Sequence, residues 1–174
     1  MASTGRGFGK LQPQKERSLS KSVLFVCLGN ICRSPLAEAA LKAEAERIGL
    51  DIQVDSAGTG DWHLGHAPDP RAAAVARRNG IDISHRRARL VTPEDFRRFD
   101  HVVALDEQNL ANLQAMRPAG AKAELSLLLD HVPGRAGQPV ADPYYGDASH
   151  FDETWGDVTE GAKALARRLA AQTQ

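Results

Sequence analysis

The fold is decided by residues 23–35, which are Val23-Leu24-Phe25-Val26-Cys27-Leu28-Gly29-Asn30-Ile31-Cys32-Arg33-Ser34-Pro35. The apolar run 23–26 is mostly β-branched or aromatic and predicts a strand buried on both faces, as in parallel sheets. The chain then crosses a short loop and reaches Ser34-Pro35, where a favoured N-cap residue precedes a favoured first helical residue. The stretch therefore predicts a strand, a tight loop and a helix.

The predicted loop has the features of an anion site. A loop in front of a helix N-terminus presents backbone N–H groups and the positive end of the helix dipole, and the same field favours the thiolate form of Cys27. Arg33 adds a planar fork that can bind two oxygens of one phosphate. A thiolate beside a phosphate cradle indicates phosphoryl transfer to sulfur. The alternative is an inert, buried Cys27 with Arg33 at the surface.

Three further loop residues each have a functional and a plainer interpretation. Asn30 suits a left-handed backbone conformation, which turns also use. The Ser34 hydroxyl can reach Cys27 and stabilise the thiolate, or it can simply cap the helix. Cys32 could form a reversible disulfide with Cys27 under oxidation and so protect the nucleophile, or it could be a small packing residue.

Composition bounds the class of protein. A length of 174 residues suits one domain, and 22 basic against 22 acidic residues give no overall charge that would favour nucleic acid or an acidic membrane. Residues 1–21 are basic and aperiodic, which predicts a disordered tail, or alternatively a docking arm, ahead of a domain at 22–174. The sequence has no apolar run of membrane-spanning length and no disulfide framework, so a cytoplasmic protein is expected.

The rest of the chain alternates between strand and helix patterns. Strands are predicted at 23–26, 52–54 and 102–105, whereas residues 125–129 fit either a strand or a helix. Helices are predicted from 34 to 48, from 70 to 79, after Thr92-Pro93, through Met116 and over the C-terminal region, and 132–147 is predicted to be a long loop. This alternation predicts a parallel sheet flanked by helices, with ligands at the carboxyl ends of the strands, where Cys27, Trp62 and Asp106 follow.

A phosphatase also needs a proton donor for the leaving oxygen. Asp142 lies in Ala141-Asp142-Pro143-Tyr144-Tyr145-Gly146, within the long loop, and Pro143 keeps it extended. The neighbouring aromatic side chains could flank an aryl substrate. An ordinary Asp-Pro turn is the alternative.

Five separated motifs occur in order along the chain, at 26–35, 55–62, 68–72, 106–110 and 142–146. Together they resemble those of the low-molecular-weight protein tyrosine phosphatases. The resemblance implies a three-layer α/β fold with a central four-stranded parallel sheet, and activity without a metal or cofactor. It implies Cys27 as nucleophile, Arg33 as phosphate clamp and Asp142 as general acid and later base. It further implies that Leu28, Gly29, Asn30, Ile31, Cys32 and Ser34 surround the phosphate, and that Trp62, Tyr144 and Tyr145 form the walls of the slot. The motifs are 26–35, Asp55-Ser56-Ala57-Gly58-Thr59-Gly60-Asp61-Trp62, Pro68-Asp69-Pro70-Arg71-Ala72, Asp106-Glu107-Gln108-Asn109-Leu110 and Asp142-Pro143-Tyr144-Tyr145-Gly146.

The resemblance also implies a hydrogen-bond network of Asn30, Ser56 and a histidine behind the loop. An extra residue after His85 leaves two ways to align the chain, and we expect His85, rather than Arg86, at that position. The implied partner is a tyrosine-phosphorylated protein, and by analogy with bacterial relatives a tyrosine autokinase is a candidate. The protein is expected to be a monomer or weak dimer, with no nucleic acid or membrane partner.

Related activities fit the sequence less well. An arsenate reductase of this fold would need cysteines beyond the loop, and the chain has only Cys27 and Cys32. Protein-arginine phosphatases resemble the chain too, but they tend to have threonine at the position of Ile31. A binding module without turnover would lack the nucleophile, the clamp or the acid, and candidates for all three are present.

Overall fold

The computed structural model describes residues 21–172. Of the tail predicted at 1–21, residues 1–20 lie outside the described part of the chain, and Lys21 is already the first residue of a strand. The strands are β1 (Lys21–Cys27), β2 (Ile52–Gly58), β3 (His101–Ala104) and β4 (Glu124–Leu127). The helices are α1 (Arg33–Ile48), α2 (Pro70–Arg78), α3 (Asp95–Arg98), α4 (Glu107–Met116) and α5 (Ala148–Gln172), and a 3-10 turn spans Leu128–His131.

The four strands form one parallel sheet in the order β2-β1-β3-β4. The first strand of the chain therefore lies inside the sheet, between β2 and β3. Residues 23–26 have no exposed surface, which confirms the strand buried on both faces. The carboxyl ends of β1, β2 and β3 lie at one edge of the sheet, where Cys27 is the last residue of β1.

The helices cover both faces of the sheet and give three layers, as expected. Val23 and Phe25 point into one core, which contains residues of α1, α2 and α5. Leu24 and Val26 point into the other core, which α3 and α4 complete with Phe96 and Leu113. The alternation along β1 thus assigns its side chains in turn to the two faces of the sheet.

Several element boundaries differ from the sequence predictions. β2 continues to Gly58 instead of ending at residue 54, because 55–58 pair in register with Leu24–Cys27 of β1. The helix after the loop begins at Arg33, and the Ser34 side chain makes no capping hydrogen bond. The ambiguous run 125–129 is divided between β4 and the 3-10 turn.

Two kinds of feature are absent from the described residues, 21–172. None of their helices is long and apolar enough to cross a membrane. Nor do they contain a group of three or more His, Cys, Asp or Glu side chains arranged to hold a metal ion.

Candidate active site

The loop between β1 and α1 is held by hydrogen bonds to its outward-facing carbonyl groups. The carbonyls of Cys27, Leu28 and Ile31 accept from the backbone N–H groups of Thr59, Gly60 and Asp69 at 3.0, 2.8 and 2.9 Å. In a trans peptide the next N–H points opposite to the carbonyl, so the N–H groups that follow point to the other side of the loop, where a cavity lies. This arrangement provides the backbone donors of an anion site.

Two residues give this loop its shape. Asn30 adopts the left-handed conformation expected for it, with φ of 58°. Gly58 lies so close that a Cβ atom there would be 2.8 Å from the Leu28 carbonyl oxygen. A larger residue at the end of β2 would therefore displace the loop.

A buried hydrogen-bond network supports Cys27 from behind. The Cys27 Sγ lies 3.0 Å from the Ser34 Oγ, which itself accepts a 2.8 Å hydrogen bond from the Asn30 amide. Because Ser34 already accepts from Asn30, its hydroxyl hydrogen can point to the sulfur, which is nearer than its other acceptor, the Ala57 carbonyl oxygen at 3.4 Å. A hydrogen bond donated to sulfur stabilises a thiolate. Asn30 also donates to the Ser56 Oγ at 3.0 Å, and Ser56 donates to Glu38 at 2.7 Å. The Asn30–Ser56 contact is the one the sequence led us to expect.

The expectation of His85 in this network is wrong, and Arg86 occupies the position. Arg86 lies 3.1 Å from the Glu38 carboxylate and 2.5 Å from that of Asp55. His85 is exposed at the surface. The physical reason is Glu38, which is only 2% exposed, and a permanently cationic guanidinium compensates a buried carboxylate better than a neutral imidazole does.

Arg33 is held in place before any substrate binds. Its Nη1 donates to Asp106 at 2.7 Å and to the Val140 carbonyl at 3.0 Å, while Nη2 lies 3.5 Å from Asp142. Burial lowers the pKa of Arg33, but the charges of Cys27, Asp106 and Asp142 outweigh it and the pKa is raised. The guanidinium therefore remains a cation at the cavity wall.

Asp142 lies at the mouth of the cavity. Its side chain is 41% exposed, and its Oδ1 accepts a 3.1 Å hydrogen bond from the Tyr144 N–H. The long loop thus places a carboxylate on the same cavity as Cys27 and Arg33. This is the arrangement that a general acid requires.

The cavity has a volume of about 350 Å³, and an aromatic rim surrounds its mouth. Tyr144 and Tyr145 meet edge to face with centroids 4.9 Å apart, and Trp62 is exposed. His63, which the sequence analysis did not select, also lines the cavity and lies 5.8 Å from the Tyr144 ring. The predicted loop residues on the cavity wall are Leu28, Gly29, Ile31 and Cys32, whereas Asn30 and Ser34 lie behind the loop.

Cys32 lines the cavity but is chemically distinct from Cys27. It is buried, and burial together with the negative charges of Asp69, Cys27 and Asp142 raises its pKa well above the usual range. Cys32 therefore stays a neutral thiol. A disulfide between the two cysteines stays a prediction.

Comparison with known proteins agrees with this geometry. A model of the family described as low molecular weight phosphotyrosine protein phosphatase matches residues 22–174. The chain is 40% identical over 151 residues to the low molecular weight phosphotyrosine protein phosphatase of Schizosaccharomyces pombe, covering 85% of this chain and 96% of the relative. The crystal structure of YfkJ from Bacillus subtilis matches with a TM-score of 0.82 and 38% identity, over 89% of this chain and 98% of that one.

An arginine phosphatase shares the fold as well. The crystal structure of DARP, the Drosophila arginine phosphatase, matches with a TM-score of 0.79 and 30% identity, over 84% of this chain and 96% of that one. The family model nevertheless spans all four strands from Ser22 onward, the loop after β1 and the Asp142 loop. The chain belongs to the low molecular weight phosphotyrosine protein phosphatase family.

Proposed function

We propose that this protein hydrolyses phosphotyrosine in proteins through a cysteinyl-phosphate intermediate. The observation that carries the proposal is the convergence of Cys27, Arg33 and Asp142 on one cavity with an aromatic rim. Each group matches one requirement of the reaction: a nucleophile, a clamp for the phosphoryl oxygens and an acid for the leaving oxygen.

The reaction proceeds in two displacements. The Cys27 thiolate attacks phosphorus, the bond from phosphorus to the tyrosine oxygen breaks, and Asp142 gives its proton to that oxygen. A water molecule then attacks the phosphorus of the cysteinyl phosphate while the Asp142 carboxylate takes a proton from it. The S–P bond breaks, which releases inorganic phosphate and restores the thiolate that Ser34 stabilises.

Arg33 and the loop N–H groups stabilise the transferring phosphoryl group. Charge on its three equatorial oxygens changes as the reaction proceeds, and fixed donors stabilise that charge without reorganising. Asp106 and the Val140 carbonyl fix Arg33 through Nη1. The other edge of the fork is nearer Asp142 and can bind two phosphoryl oxygens.

The side chains of the slot favour phosphotyrosine over phosphoarginine. Ile31 is only 7% exposed and lines the cavity, so it presents an apolar surface where a guanidinium would need polar partners. Tyr144 and Trp62 can pack against the faces of a phenyl ring. The fold-level likeness to an arginine phosphatase makes phosphoarginine the competing substrate.

Peptides that carry phosphotyrosine, phosphoserine or phosphoarginine test the substrate. We expect vanadate-sensitive release of phosphate from the phosphotyrosine peptide. For the other two peptides we expect kcat/KM to be at least about tenfold lower, because the loss of ring packing in the slot should cost the transition state more than about 1.4 kcal/mol. Cys27→Ser should abolish turnover. Asp142→Ala should slow the chemical step. Asp147→Ala is its matched control, because Asp147 is an exposed carboxylate at the end of the same loop. Phosphoarginine as the preferred substrate would refute the proposed specificity.

A further inference from the structure

The loop that carries Asp142 is tied to the start of α2 by one guanidinium. Arg71 Nη2 donates to the Tyr144 carbonyl and Nη1 to the Gly146 carbonyl, both at 3.0 Å. These contacts join residues 73 and 75 positions apart in the sequence. They act on the backbone of the loop, so they constrain its path regardless of the side chains at those positions.

The same guanidinium is anchored on its other side by Asp69. Arg71 Nε and Nη2 donate to the two carboxylate oxygens of Asp69 at 3.0 and 2.8 Å, a bidentate pair. Asp69 is buried, and although burial acts to raise its pKa, the hydrogen bonds from Arg71 keep that pKa below the usual range. The backbone N–H of Asp69 in turn donates to the Ile31 carbonyl of the phosphate loop. A continuous path of contacts therefore joins the phosphate loop to the Asp142 loop.

Packing fixes the orientation of this guanidinium. Its Cζ lies 4.5 Å from the centroid of the Phe151 ring, which is 1% exposed, and 5.8 Å from that of Tyr144. Three nitrogens in one plane reach three different acceptor groups. A lysine ammonium concentrates its donors at one point and cannot reach Asp69 and both carbonyls together.

We propose that Arg71 is a positioning residue that sets the distance from the Asp142 carboxyl to the leaving oxygen. The inference rests on the proposed function, in which Asp142 supplies the proton. Tyr144 connects the two residues, because its carbonyl accepts from Arg71 and its N–H donates to the Asp142 carboxylate at 3.1 Å. A shift of residues 142–146 therefore moves the acid relative to Cys27, which is fixed at the end of β1. A displacement of about 1 Å costs on the order of 100-fold in rate.

A misplaced acid leaves a signature that a general loss of stability does not. Phenolate is a poor leaving group, so phenyl phosphate needs the proton in the transition state. The electron-poor 2,4-dinitrophenolate departs without it. Arg71→Lys should therefore lower kcat/KM for phenyl phosphate by about tenfold or more, and for 2,4-dinitrophenyl phosphate by less than about threefold.

The experiment compares Arg71→Lys, Asp142→Ala and the double variant on both substrates. Asp142→Ala should show the same pattern with a larger amplitude, and the double variant should be no slower than Asp142→Ala, since the two residues act on one step. Arg78→Lys is the matched control, because Arg78 lies on the same helix but pairs with Asp152 on α5. The vanadate inhibition constant reports the phosphate cradle and should stay within about threefold of the parent value in Arg71→Lys.

The outcomes separate the inference from the proposed function. Equal losses on both substrates in Arg71→Lys would overturn the positioning role. If Asp142→Ala does not lose more activity on phenyl phosphate than on 2,4-dinitrophenyl phosphate, Asp142 is not the general acid, and the proposed function is refuted at that point. Should Arg71→Lys not fold, Asp69→Asn weakens the same pair and retains a capping side chain for α2. It should give the leaving-group pattern at smaller amplitude, and its absence there would also refute the inference.

Discussion

Two glycines of α5 give a prediction whose size follows from the structure. A Cβ atom at Gly161 would lie 2.4 Å from Leu128 Cγ and 2.9 Å from each of its methyl groups, and Leu128 is completely buried. A Cβ atom at Gly156 would meet nothing within 4 Å. Alanine removes the helix penalty of glycine at both positions, about 1 kcal/mol.

The two alanine variants should therefore change stability in opposite directions. Gly156→Ala should raise the free energy of unfolding by about 0.5–1 kcal/mol. Gly161→Ala gains the same propensity but forces Leu128 to move in a closed core, which costs about 1–3 kcal/mol. The difference between the variants isolates the overpacking, and ~2 kcal/mol corresponds to ~4–8 °C in Tm for a domain of this size.

Urea denaturation at constant m-value, followed by circular dichroism, measures the difference. The absence of a side chain at Gly161 allows α5 to approach the 3-10 turn closely. Equal stabilisation by both alanines would refute that close approach. The parent kcat/KM for p-nitrophenyl phosphate should be kept by Gly156→Ala, because Gly156 is exposed and remote from the cavity.

Three further predictions concern the network and the histidines. Ser34→Ala should lower kcat/KM for p-nitrophenyl phosphate by about 10- to 100-fold, since a hydrogen bond to a charged group contributes ~1.5–3 kcal/mol, while the exposed Ser149→Ala should have no effect in the same assay. Arg86→Met should lower the free energy of unfolding by about 1–3 kcal/mol, because among the described residues Glu38 then keeps only Lys42 as an ion-pair partner. His85→Ala should change the free energy of unfolding by less than about 0.5 kcal/mol in urea titrations. Equal effects of the two substitutions would contradict the placement of Arg86, and not His85, beside Glu38. Burial lowers the pKa of both His101 and His131, so the unfolded chain binds more protons than the folded one below about pH 6.5, and stability should fall as the pH drops from 7 to 5. His131→Gln should reduce that slope, and an unchanged slope would argue against a neutral His131.

The central strand β1 and the loop after it could be predicted because each is specified by a short, continuous stretch of sequence. The run 23–26 is apolar regardless of what surrounds it, and the Cys27 to Arg33 spacing sets the loop. The length of β2 could not be predicted in this way. Residues 55–58 are polar or small, and pairing with β1, which is remote in sequence, makes them a strand.

The parts of the site that could not be predicted from the sequence depend on long-range contacts. Glu38 has the pattern of an ordinary helix residue, and only the fold reveals that Ser56 and Arg86 meet at its buried carboxylate. The prediction that His85, and not Arg86, joins the network was wrong because it rested on the alignment alone. It did not take account of the positive charge that the buried Glu38 carboxylate requires. His63 follows Trp62 directly, and its place in the loop after β2, at the same edge of the sheet as Cys27, was a signal in the sequence that could have identified it.

The fixed position of Arg33 separates recognition of the phosphoryl group from recognition of what it is attached to. Under the proposed function, a clamp held by Asp106 and Val140 responds to the oxyanion that substrate and released phosphate have in common. Discrimination among phosphorylated side chains must therefore come from the rest of the slot, which is Ile31 on the loop and Trp62, Tyr144 and Tyr145 on the rim. Substitutions there can change the accepted leaving group while the buried network stays intact. One scaffold can in this way be redirected from a tyrosine ester to an arginine phosphoramidate by substitutions at a few residues of the slot.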